Sequence, residues 1–227
     1  MSREVVPGIL EVLFPRAVVH AFIVIADVPT LIDTGPPGGA GSIERALHRA
    51  GLAADDVQRI ILTHAHADHA GNASALARSS GAQVHASPAT ASFVSHGAQQ
   101  SPPQAATPLG RAMVPYVKVA LPWSVEPVKV QPTLVEAGRV GPFRVLETPG
   151  HQVGHVSLLW EERGVLLTGD AAANITRVGP HPTAEDPAQA RASFRRLGSE
   201  NFGVALFGHG RALTTKAAQR MQSAARP

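Results

Sequence analysis

The chain has 227 residues, of which 44% are hydrophobic and 16% charged, enough apolar material for a sizeable core and no compositional case for disorder. It contains no cysteine, which excludes disulfides, thiolate metal ligands and a cysteine nucleophile. The net charge is only +3, and the basic residues are scattered apart from Arg191, Arg195 and Arg196, whose helical spacing reads as a solvated face, so nucleic acid is not an expected partner. The length fits a single domain over 1–227. No secretory pattern follows Met1, and the longest apolar run, residues 17–26, is interrupted by His20 and too short to span a bilayer. A cytoplasmic protein with no membrane partner is expected.

In chain order, residues 9–14 and 18–25 read as strands, and Asp27-Val28-Pro29 turns into a third that ends in Asp33-Thr34-Gly35. Ser42 is placed to cap a helix reaching Ala50, with Ile43, Ala46 and Leu47 on one face and Gly51 as its stop. The run Arg59-Ile60-Ile61-Leu62 has the composition of a buried strand and leads directly into Thr63-His64-Ala65-His66-Ala67-Asp68-His69-Ala70-Gly71-Asn72. A helix over 70–80, closed by Gly81, and a strand over 83–86 follow. From 97 to 132 the pattern is lost, and Pro102, Pro103, Pro108, Pro115, Pro122, Pro127 and Pro132 argue against long regular elements. That segment, which carries Tyr116 and Trp123, reads as an insertion serving as substrate cover, dimer contact or filler. Strands return at 143–147, 156–160 and 165–167, the last running into Thr168-Gly169-Asp170. A helix over 186–197 with Pro187 in its first turn, a strand over 204–207 ending in Gly208-His209-Gly210, and a final helix from Thr214 complete the chain.

Laid side by side, the hairpin ending in Asp33-Thr34-Gly35 and the hairpin ending in Thr168-Gly169-Asp170 read as a worn duplication, each followed later by a strand that runs into histidine, at His64 and at His209. Two such units with helices outside make an α+β fold, a four-layer αβ/βα sandwich of two β-sheets flanked by helices.

Three histidines and an aspartate within six positions are the donors that borderline-soft divalent cations take. In extended chain His64 and His66 point the same way and can bind one ion together, while Asp68 and His69 are free to serve a second, so two metals are expected. Asp33, His151, Asp170 and His209 also lie at predicted strand ends or adjoining turns, but spacing alone does not assign their roles.

The order His-x-His-x-Asp-His, then Thr-Pro-Gly-His, Thr-Gly-Asp and Gly-His-Gly resembles the metallo-β-lactamase superfamily of hydrolases, over most of the chain except the proline-rich stretch. The resemblance implies that fold, and it implies that His64, His66 and His151 bind one metal while Asp68, His69 and His209 bind the other. Asp170 would bridge them and Asp33 would support the site from behind. It further implies two divalent ions, zinc with iron or manganese as alternatives, and a bridging hydroxide that Asp68 orients for attack on an ester, lactone or thioester carbonyl. Asp170 stands where antibiotic-hydrolysing members typically hold cysteine or serine, so the chain is more similar to the glyoxalase II and lactonase branch. Only residues 210–227 follow His209, where glyoxalase II carries its glutathione-binding helices, so the pocket for a small-molecule substrate is expected from 97–132 and from the loop holding Asn174, Arg177 and His181. These three either touch substrate or merely satisfy the loop. His155 reads as a hydrogen-bonded support, and His20, His48, His85 and His96 as structural or surface residues, with His85 the nearest to the pocket. Competing readings are a mononuclear iron sulfur dioxygenase, which keeps the equivalents of His64, His66, His151 and Asp170, and a nuclease-branch phosphodiesterase. A homodimer is left open.

Overall fold

Alternating apolar residues near the N-terminus form a meander that widens into a six-stranded sheet, as seen in a computed structural model that describes residues 1–97, 104–120, 124–131 and 133–226, the side chains of 116–120 excepted. Two units divide the chain, the first comprising residues 1–100 and 122–133 and the second residues 101–121 and 134–227.

In the first unit β1 (Ser2–Val6), β2 (Ile9–Phe14), β3 (Val19–Val24) and β4 (Thr30–Ile32) pair antiparallel in sequence order. The helix α1 (Ala40–Arg49) then crosses to β5 (Arg59–Ile61), which runs parallel to β4. Next, α2 (Ala67–Ala70) and α3 (Ala73–Ser80) lead to β6 (Gln83–His85), parallel to β5, and α4 (Pro88–His96) follows. Every residue of β3 is buried, as expected of an interior strand. Ile43, Ala46 and Leu47, at the spacing that lines one helix face, join Val12, Phe14, Leu31, Ile60, Leu62 and Leu76 in one core.

The second unit contains β7 (Gln104–Ala105), α5 (Pro108–Ala120), β8 (Arg139–Val140), β9 (Phe143–Glu147), β10 (Val156–Trp160) and β11 (Val165–Leu167). It continues with β12 (Ala173–Asn174), β13 (Val178–Gly179), β14 (Thr183–Ala184), α6 (Pro187–Gly198), β15 (Val204–Leu206) and α7 (Ala217–Ala224). The main sheet has the order β15-β11-β10-β9-β8, and only β11 and β15 pair in parallel. Phe194, Leu197, Ala217 and Met221 from α6 and α7 pack with Leu146, Leu159, Leu166 and Phe207. Asp186 caps α6 by accepting from the Ala188 and Gln189 amides, and Pro187 occupies the first turn. The duplicated order is visible in the pairing: β3, β4 and β5 run antiparallel then parallel, and so do β10, β11 and β15.

Several expectations require correction. The proline-rich stretch holds a 13-residue helix, α5, with Pro115 inside it. Thr107 starts this helix by accepting the Gly110 amide on its hydroxyl, and Pro108 occupies the first turn, where its missing N–H costs nothing. Of that stretch, 98–103, 121–123 and 132 lie outside the described residues, and with them Trp123 and the side chain of Tyr116. The expected helix over 70–80 is interrupted at Gly71 and Asn72, because the Asn72 side chain is held by the carbonyls of Thr34, Gly35 and Pro36. The helix α1 begins at Ala40 after Gly39, and the Ser42 hydroxyl instead accepts from the Arg45 guanidinium. The last helix starts at Ala217, after Lys216 adopts a left-handed conformation. The helix α4 escaped the sequence reading although Ser87 caps it and Pro88 opens it. Among the described residues no helix is long and apolar enough to cross a membrane.

Gly35 lies in the turn after β4 with φ +71°, and the Phe14 ring fills the place a Cβ would take. Gly51 has a similar φ of +76° with nothing near that place. Gly35→Ala is therefore expected to lower the unfolding free energy by about 3 kcal/mol, against about 1 kcal/mol for Gly51→Ala, where only backbone strain acts. Urea unfolding measures both, and equal losses would remove the Phe14 overlap as the cause.

Candidate metal centre

The strand β4 delivers Asp33 in a left-handed conformation, φ +58°, which turns its carboxylate back toward the end of β5. There Asp33 Oδ1 accepts the Thr63 amide at 2.8 Å, and Oδ2 accepts the Thr63 hydroxyl and His69 Nδ1, each at 2.8 Å. Because the Thr63 hydroxyl donates to Asp33, it accepts from His64 Nδ1, 3.0 Å away. His64 and His69 thus each spend their single proton on Nδ1, leaving Nε2 with its lone pair. His64 Nε2 stands 3.0 Å from His66 Nδ1, and His69 Nε2 stands 3.9 Å from Asp68 Oδ2. The small helix α2 presents Asp68 and His69, with His66 as its cap residue. His64, Asp68 and His69 are buried, His66 half-buried. The first unit therefore brings His64, His66, Asp68 and His69 together, with Asp33 behind them.

In the second unit, Gly150 precedes His151 with φ +121°, and a Cβ there would strike the Ala190 backbone at the start of α6. This close approach lets His151 Nδ1 reach the Thr183 carbonyl at 2.8 Å. His151 Nε2 and His209 Nε2 each lie 3.4 Å from Asp170 Oδ2. The end of β15 is fixed by Gly208 donating to the Gly169 carbonyl and by the His209 carbonyl accepting the Asn174 amide. Asp170 itself is oriented by a relay. Ser157 donates to the Thr168 carbonyl, Thr148 donates to Ser157, and His155 Nδ1 donates to Thr148, so His155 Nε2 accepts the Asp170 amide at 2.9 Å. His155 is a support, as its sequence context indicated.

The residues of the 174–181 loop have different fates. Asn174 satisfies the loop by donating to the Arg211 carbonyl, while Arg177 is exposed and lines a groove of about 1260 Å³ with Lys216 and Arg220. His181 is the residue the sequence reading underweighted: its Nε2 lies 3.5 Å from Asp170 Oδ2, and with His151 and Asp170 it forms a buried group of metal-donor type. Burial pushes its pKa down to about 3, so the ring is neutral at pH 7. The other histidines stay apart from these clusters. His85 binds Thr133 Oγ1, and burial lowers its pKa; His20 packs on Phe22; His48 and His96 are exposed.

In each unit, histidines and carboxylates of the kind that bind divalent metals gather beyond the strand ends. The metallo-beta-lactamase superfamily model matches residues 15–209, and the chain belongs to that superfamily of metal-dependent hydrolases. It is 34% identical over 146 residues to the uncharacterized protein YobT of Bacillus subtilis, covering 63% of this chain and 56% of that one. It is 46% identical over 44 residues to mouse metallo-beta-lactamase domain-containing protein 1, covering 19% of this chain and 17% of that one. The matched stretches thus span about half and less than a fifth of these relatives' lengths. Among solved structures, a metallo-beta-lactamase family protein from Thermus thermophilus superimposes with a TM-score of 0.70 at 27% identity, over 98% of this chain and 78% of that one. BJP-1, a subclass B3 metallo-beta-lactamase of Bradyrhizobium japonicum, does so with a TM-score of 0.71 at 21% identity, over 99% and 89%. The chain has the metallo-β-lactamase fold.

Asp33 holds three hydrogen bonds from Thr63 and His69 in a buried setting. Asp33→Ala is expected to cost about 3 kcal/mol in denaturant unfolding and to weaken metal affinity about 10- to 100-fold in a chelator competition. Unchanged affinity would show that the carboxylate does not position His64 and His69.

Proposed function

We propose that this chain hydrolyses an ester, lactone or thioester of a small molecule using two divalent metal ions. His64, His66 and His151 would hold one ion, Asp68, His69 and His209 the other, with Asp170 shared. Superfamily membership supports this reading, and one observation carries it. In both units, histidines spend their proton on a fixed acceptor behind them and turn an unprotonated nitrogen toward further metal-donor groups, His66 and Asp68 in the first unit and Asp170 in the second. Lone pairs and carboxylate oxygens crowded in a dry site repel one another unless a cation lies among them. The donors are nitrogen and oxygen only, a set that suits zinc, iron or manganese.

Bound there, divalent cations supply Lewis acidity and a water whose pKa falls toward neutrality. The chain's own residues have separate tasks. Asp33 and Thr63 lock His64 and His69, the Thr183 carbonyl locks His151, and His155 holds the Asp170 backbone. Asp68, buried at the first turn of α2, orients the attacking water by accepting its hydrogen bond. Ala65, Ala67, Ala171 and Ala172 are buried beside these residues and bring no competing polar group. Asp170 is the feature most similar to the glyoxalase II and lactonase branch, which favours these carbonyl substrates over β-lactams.

Metal-loaded protein is expected to turn over at least one class in a panel of aryl esters, acyl thioesters and lactones. Chelation and His66→Ala are each expected to lower kcat/KM about 100-fold or more, and metal returned to the chelated protein restores it. Absence of turnover across the panel, or full activity in His66→Ala, refutes the proposal. Oxygen uptake with a persulfide would instead assign the mononuclear iron alternative.

A further inference from the structure

We infer that His181 is a metal ligand, adding to the ion at Asp170 a nitrogen that the superfamily pattern in this sequence does not contain. The inference rests on the reading that the site binds metal, and it concerns the second unit alone.

The Thr183 carbonyl oxygen lies 2.8 Å from His151 Nδ1 and 3.1 Å from His181 Nδ1. A carbonyl has two lone pairs, so this one atom accepts an N–H from both rings and sets both in the same tautomer. Each ring then turns an unprotonated Nε2 toward the same atom, Asp170 Oδ2, at 3.4 Å for His151 and 3.5 Å for His181. The two rings stand edge to face with centroids 4.6 Å apart, so their nitrogens converge without the rings stacking. His181 therefore has the tautomer, the anchor and the distance of His151.

The Thr183 amide and the Thr183 hydroxyl also lie 3.2 Å from His181 Nδ1, either able to donate to it. Were either the operative bond, His181 Nε2 would carry the proton and aim it at Asp170. A charge-assisted N–H to carboxylate bond closes to about 2.8 Å, and no hydrogen bond forms at the observed separation. Two ligands held about 2.1 Å from one ion, by contrast, stand about 3 to 3.4 Å from each other. The buried Nε2 of His181, which has no hydrogen-bond partner, is spaced as a ligand is.

One more imidazole at this position raises the coordination number of the ion and favours iron or manganese over tetrahedral zinc. Proton NMR of the full chain loaded with Co(II) reads this directly, because a ligating imidazole shows a strongly shifted, exchangeable N–H. Two such protons with cross-peaks to Thr183 are expected in the wild type, from His151 and His181, and one in His181→Asn. Co(II) affinity is expected to fall about tenfold in His181→Asn and in His181→Gly, with added imidazole restoring the latter. A single shifted proton near Thr183 in the wild type overturns the inference without any variant being needed. So does unchanged Co(II) affinity with reduced turnover in His181→Asn, which would make His181 a hydrogen-bond donor to substrate. Failure of the wild type to bind Co(II) overturns the metal reading of the whole site, and is thereby distinguishable from failure at His181 alone.

Discussion

An imidazole has one proton to divide between two nitrogens, and where that proton goes is the constraint on which the candidate centre depends. Four of these rings face a fixed acceptor: Asp33 for His69, the Thr63 hydroxyl for His64, the Thr183 carbonyl for His151 and His181. A hydrogen bond on the far nitrogen fixes the ring orientation and raises the basicity of the near one. The acceptors are backbone atoms or buried side chains of the scaffold, so the facing nitrogens are held by the fold and do not wait for an ion to arrange them.

Two of these acceptors, Asp33 and the Thr63 hydroxyl, follow β4 and β5, and both main sheets repeat that connection. In each, an antiparallel pair ends in a turn carrying aspartate, and a parallel neighbour ends in histidine. The two aspartates have nonetheless diverged. Asp33 accepts three hydrogen bonds from Thr63 and His69 and serves as an anchor. Asp170 has its backbone N–H bound by His155 and turns its carboxylate toward three imidazoles. A buried carboxylate whose oxygens accept N–H and O–H donors has its hydrogen-bonding capacity met, whereas one facing imidazole lone pairs favours a cation beside it.

The surrounding structure is stiff where these bonds originate. Asn72 ties the β4 turn to the start of α3 through three carbonyls, and Phe14 packs directly on Gly35 in the same turn. In the second unit, Gly150 lets the His151 turn approach the first residues of α6 more closely than a side chain would permit. Such contacts fix the backbone from which the donor side chains project.

Strand and helix positions carried by local chemistry were legible from residue order alone. The β-branched run before His64 and the Asp186-Pro187 start of α6 need no distant partner to be read. The His64 to His69 cluster was equally plain, since its donors are contiguous. The helix α5 was obscured because Pro115 argues locally against it, and the break at Asn72 because its cause lies in carbonyls more than thirty residues earlier. The sharpest contrast is between His155 and His181. Sequence placed the first beside His151 as a support and the second in a loop, where it would touch substrate or merely satisfy the loop. Only the tertiary structure shows what each ring meets, Thr148 and the Asp170 amide for His155, Thr183 and the Asp170 carboxylate for His181, because those neighbours are set by the folded chain.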